Sequence, residues 1–136
     1  MDKFTKIAQL KDVSALRGRL AKLNLDVPVD DAILTAASGS PLDTKLSVGT
    51  FEVGNRWCIH PMEGWDAQAD GRPSALTLRR WRRFGQSGAK WIWGGEAAAV
   101  VPEARANPHQ TLATAENGDG LAQLRDAVEK AHLEKF

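Results

Sequence analysis

Two short apolar runs end in residues suited to holding a flat ligand. Trp57-Cys58-Ile59 leads into the corner His60-Pro61-Met62-Glu63-Gly64-Trp65, and Lys90-Trp91-Ile92-Trp93 closes on Gly94-Gly95. Glycines carry no side chain to keep a ring off the backbone, and Pro61, which has no amide proton for a ladder, marks the end of the run before it. If the two runs are parallel strands, Pro61 to Trp65 and Gly94 to Ala97 lie side by side at their carboxyl ends, where α/β folds bind ligands. That arrangement suits a planar cofactor. The plainer reading of the first run is a buried strand followed by a turn.

Other constellations carry less. His60, Glu63, Asp66 and Asp70 have the chemistry of metal ligands but no recognised spacing, and a single strand histidine is more often structural. Ser38 or Cys58 with His60 or His109 would supply a nucleophile and a base, yet no nucleophile elbow or comparable frame surrounds them. Arg79-Arg80-Trp81-Arg82-Arg83 has the composition of a phosphate-tracking segment. On a helix, however, these arginines flank an apolar Trp81 stripe and fan over solvated faces, so we expect no nucleic-acid partner.

Composition agrees. Eighteen Lys and Arg residues against 17 Asp and Glu give a net charge of +1 across 136 residues, so no global field draws in nucleic acid or an anionic membrane. A hydrophobic fraction of 43% can build one core. The single cysteine, Cys58, excludes an intrachain disulfide and a cysteine-rich zinc site, which fits a reducing compartment. No long apolar run or secretory h-region appears at the N-terminus, and a soluble, cytoplasmic protein is the expectation.

The positioning elements follow from periodicity. Val13, Leu16, Leu20 and Leu23 predict an amphipathic helix over residues 13–24, capped by Asp12 or Ser14, and residues 24–41 read as a connector. Leu46-Ser47-Val48 and Phe51-Glu52-Val53, broken by Gly49-Thr50, predict a hairpin over 45–53. Asp70-Gly71 marks a turn, and Ser74 caps a helix over 75–86 with Leu78, Trp81 and Phe84 as its stripe, ended by Gly85 and Gly88. Strand, helix, strand is the order, and a helical crossover implies parallel, right-handed pairing. Residues 100–117 read as a long loop, and a last helix over 121–135 shows Leu121, Leu124, Val128 and Ala131 on one face.

Taken together, these residues resemble the N-terminal portion of the old yellow enzyme family of FMN-dependent NADH:flavin oxidoreductases. The likeness rests on Pro41-Leu42, the hairpin, Asn55-Arg56 before an apolar strand, Pro61-Met62, Asp70-Gly71 and a helix with an aromatic before Arg82-Arg83. It continues through Gly88-Ala89-Lys90-Trp91-Ile92, Glu96-Ala97, Val100, Pro102 and Arg105, spanning about residues 41–135 with the motifs in order.

The resemblance implies part of a TIM (β/α)8 barrel: a bottom hairpin and the first two βα units, preceded by an N-terminal helix and connector over residues 1–40. It implies that His60, Pro61, Met62 and Glu63 contact FMN, that Ala97 lies near the flavin's pyrimidine edge, and that Trp65 faces the substrate. Glu63 stands where the family usually has Thr or Cys. NAD(P)H and an activated alkene or related small molecule are the implied reactants. A complete barrel needs around 250 residues, so residues 41–136 are expected to be an incomplete barrel segment, forming one wall of the site and inactive alone. The family's Gln on the third strand, its substrate-binding His-His or His-Asn pair and the Tyr proton donor of many members would all lie outside it, and the chain contains no Tyr. The alternative from the residues alone is a non-catalytic assembly module whose open sheet edges pair with a copy of itself or with a complementary fragment.

Overall fold

The computed structural model describes residues 4–136, and the chain divides after Ser40 into two compact units. In the first unit, α1 spans Val13–Lys22. The Asp12 carboxylate accepts from the Ala15 amide at 2.7 Å, satisfying one of the donors an N-terminus leaves open. The helix stops short of residue 24 because Asn24 takes φ 53, a left-handed conformation that asparagine tolerates and a helix does not. Arg17 holds the connector locally, pairing with Asp31 at 2.7 Å and donating to the Val29 carbonyl at 2.8 Å. None of the described residues of this unit is buried, so the expected stripe of α1 is at most half covered.

The second unit, Pro41–Phe136, mixes helix and strand around two small sheets. Strands β1 (Leu46–Val48) and β2 (Phe51–Val53) form the expected antiparallel hairpin, with Ser47 opposite Glu52. Gly49 takes φ 59 at the turn, as a two-residue connection of this kind requires. Strands β3 (Cys58–Ile59) and β4 (Trp91–Ile92) pair in parallel, one on each side of α2 (Ala75–Gln86) in sequence. Each is two residues long, and Asn55 ties their starts together. Its side chain accepts from the Trp57 amide at 3.1 Å and the Lys90 amide at 3.2 Å, and donates to the Gly88 carbonyl at 2.8 Å. Among the described residues no sheet closes into a barrel. Nor is β3 buried: Trp57 and Cys58 are exposed and Ile59 is half-buried.

Helix α2 begins as predicted, with the Ser74 hydroxyl accepting from the amides of Leu76 and Thr77. Its end differs. Gly85 lies inside the helix rather than closing it, packed on α3 (Gly118–Lys135), and Gly88 at φ 82 makes the turn beyond. Helix α3 starts before Leu121 because the turn Ala115–Asn117 runs directly into it. The buried apolar residues of this unit are mostly small: Val53, Ala67, Ala99, Leu112, Leu124 and Ala131. Residues 100–117, read as a loop, supply part of that core, because Ala99 bridges Leu112 and the Asn117 side chain donates to the carbonyls of Gly71 and Leu112 at 2.9 and 2.6 Å. Among the described residues no helix is long and apolar enough to cross a membrane.

Candidate functional site

The two strand ends meet. Ala97 donates its amide to the Met62 carbonyl at 3.1 Å, which joins the Pro61–Trp65 corner to the Gly94–Ala97 segment in one rim. On that rim His60, Pro61, Met62, Glu63 and Trp65 are exposed and Ala97 is half-buried. Met62 is 73% and Trp65 61% exposed, so a ligand lying on the corner has apolar and aromatic surface to cover. The Trp65 indole donates to the Glu63 carboxylate at 3.2 Å, leaning the two side chains together.

The paired glycines do different work. Gly94 at φ 78 is exposed, and a β-carbon there would have Pro61 as its nearest neighbour at 3.7 Å. Gly95 at φ 60 is buried, and a β-carbon there would press the Trp81 ring at 3.2 Å. Only Gly94 leaves backbone open to a ligand; Gly95 admits Trp81 beneath it.

Under the corner lies a charged layer that the sequence reading did not identify. Glu96, its side chain only 4% exposed, accepts from the Gly64 amide at 2.9 Å, from Arg80 Nη2 at 2.7 Å and from the Trp81 indole at 3.2 Å. Arg80 also grips Asp66 with two bonds, Nε to Oδ2 at 3.0 Å and Nη2 to Oδ1 at 2.8 Å. Thr77, fully buried, donates to both the side chain and the carbonyl of Asp66 at 3.0 Å, and Ser74 donates to the same carbonyl. The hydrogen bonds from Arg80 hold the Asp66 carboxyl below the usual range against the opposing effect of burial, and Arg80 is held more firmly protonated in turn. Arg80 is therefore not a solvated member of the arginine run, whereas Arg79, Arg82 and Arg83 are exposed as expected. One signal for this layer was present: Glu96 is the lone charge between Trp91 and Val101, and a buried carboxylate demands partners.

Residues beyond α2 brace the rim. Gln110, 4% exposed, donates to the Ala97 carbonyl at 2.8 Å and accepts from the Ala106 amide at 2.7 Å. His109 hydrogen-bonds through Nδ1 to the Ala67 carbonyl at 2.9 Å and through its own carbonyl to the Ala67 amide at 2.9 Å. An open cleft of about 410 Å3, lined by Trp65, Ala67, Ala75, Leu76 and His109 among others, runs beside the corner. Of the remaining candidates, Asp70 pairs locally with Arg72, Cys58 is an exposed free thiol, and Ser38 lies in the first unit. Among the described residues no three His, Cys, Asp or Glu side chains converge as a metal-binding group.

Chemically the rim offers an exposed platform on a fixed backbone. The amides of Met62, Glu63 and Trp65 have no protein partner among the described residues, which leaves donors for the acceptor atoms of a planar ring. No protein-family model matches this chain, and no curated protein matches it significantly.

Proposed function

We propose that residues 41–136 form one wall of the FMN site of an NAD(P)H:flavin oxidoreductase of the old yellow enzyme type, as part of a TIM (β/α)8 barrel. The observation that carries this reading is the Met62–Ala97 backbone bond at the ends of two parallel strands, since it joins the two segments the family resemblance assigns to the flavin. In this reading His60, Pro61, Met62 and Glu63 lie along the isoalloxazine ring, Ala97 near its pyrimidine edge, and Trp65 toward an activated alkene or a related acceptor. FMN supplies hydride transfer when bound. The chain's own part is to orient the ring through backbone contacts and to cover one face with Met62 and Trp65. Turnover requires the remaining walls, which hold the flavin phosphate and polarise the substrate. The single exposed cysteine suits a reducing, cytoplasmic compartment.

Gel filtration of the purified chain with FMN tests this directly. We expect the flavin to separate from the protein and NADH consumption to equal that of free FMN. A stoichiometrically yellow chain that oxidises NADH through repeated cycles would contradict it.

A second reading, self-association, is favoured by one observation. The two-stranded parallel sheet has open edges, and Trp57, Trp93 and Phe51 beside it are 53%, 59% and 60% exposed. Parallel sheets are ordinarily covered on both faces, so a second copy or a complementary fragment would bury this surface.

A further inference from the structure

We infer that Glu96 is the positioning residue of the rim: it fixes the Met62–Trp65 corner so that the three free amides meet the acceptor edge of a planar ligand. The identity of that ligand as a flavin rests on the proposal above; the role of Glu96 rests on geometry alone. The corner lies outside helix and sheet and carries large exposed side chains, so its own contacts do little to hold it. Glu96 supplies what is missing from below, because its Oε1 takes the Gly64 amide at the middle of the corner while its Oε2 is pinned by Arg80 and Trp81 of α2. Position 64 is shaped for this contact. A β-carbon there would stand 1.9 Å from Arg80 Nη2 and 3.0 Å from Glu96 Oε1, so the corner backbone lies close against both side chains.

The choice of charges is informative. Burying an arginine and two carboxylates costs much of what their attraction returns, and an apolar cluster of similar volume would hold the helix equally well. What an apolar cluster cannot do is select a backbone direction. Glu96 turns the Gly64 amide inward and, by committing it, separates it from the neighbouring Glu63 and Trp65 amides that stay available. The ligand class follows: a planar ring with hydrogen-bond acceptors along the edge that meets the corner, not a ring that needs acceptors from the protein.

The test uses the chain itself with FMN as the probe. In the wild type the Gly64 amide should exchange with deuterium at least about tenfold more slowly than those of Glu63 and Trp65, although all three lie on one short loop. Glu96→Ala should abolish that protection and weaken FMN binding, followed by flavin fluorescence quenching, about tenfold. Glu96→Gln keeps an oxygen for the Gly64 amide but sets an NH2 group against the Arg80 and Trp81 donors, so it should retain only part of both. Trp81→Phe removes a single donor to Glu96 and should move both readouts in the same direction, which covers the case of an unfolded Glu96→Ala. Unchanged Gly64 protection in a folded Glu96→Ala or Trp81→Phe variant would overturn the role of Glu96, whatever FMN does. An FMN affinity equal to wild type in a variant whose Gly64 amide has loosened would overturn the link to the ligand. Absence of any FMN binding by the wild type would instead overturn the flavin reading.

Discussion

Gly85 of α2 lies directly against the Val128 carbonyl of α3. A β-carbon at position 85 would stand 2.3 Å from that oxygen and 3.1 Å from both the Ala131 β-carbon and the His132 amide nitrogen. Inside a helix, glycine costs about 0.5–1 kcal/mol relative to alanine, so Gly85→Ala would stabilise α2 if propensity decided. Here the backbone oxygen cannot retreat without moving α3, and overpacking costs about 1–3 kcal/mol. We expect Gly85→Ala to lower the melting temperature by several degrees, as a thermal scan would show. A rise would mean that the two helices do not meet at this glycine.

Acid should loosen the unit through Asp66. Its carboxyl is held below its ordinary value of 3.8, foremost by the hydrogen bonds from Arg80, so folding favours the deprotonated form. The resulting stability is complete above the unfolded value and disappears as pH falls through the folded one. Asp66→Asn should cost about 1–3 kcal/mol at neutral pH, because Arg80 loses one of its two carboxylate partners. It should also flatten the decline of melting temperature below about pH 4. Parallel melting-temperature curves for wild type and Asp66→Asn across that range would show that the pair contributes no acid sensitivity.

Apolar surface around the small parallel sheet should drive association. Phe51 packs edge-on to Trp91 and Trp91 lies against Trp93, with ring centroids 6.1 and 5.8 Å apart, so the exposed aromatics form a connected patch rather than scattered residues. Sedimentation of the chain should show concentration-dependent mass, and Trp93→Lys should reduce it. A wild type that remains monomeric at every concentration would remove the self-association reading.

The elements that positioned the rim were legible because each is set by near neighbours. The Ser74 cap, the two-residue turn at Gly49, and the strand, helix, strand order are local signals, and the hairpin, α2 and the parallel pairing follow from them. The tie between the two strand starts was not legible, since Asn55 reaches Gly88 and Lys90 across 33 and 35 residues. The last helix was expected to begin at residue 121, but the glycine at position 120 lets the Asn117 side chain and Pro73 close on the backbone there: a β-carbon would stand 2.2 Å from Asn117 Oδ1 and 2.7 Å from Pro73. The charged layer was the largest omission. Arg80 is one of four similar arginines until Asp66 and Glu96, 14 and 16 residues from it, single it out. Periodicity places a residue on a face but does not name its partner.

The most direct measurement is a map of FMN on the chain by amide chemical-shift perturbation, titrated to about 1 mM so that weak binding is visible. The expected result is a continuous set of shifts over His60–Trp65 and Gly94–Ala97, with the exposed face of α3 unmoved. Shifts that avoid Met62 and Ala97, or none at that concentration, would contradict the assignment of this rim to a flavin.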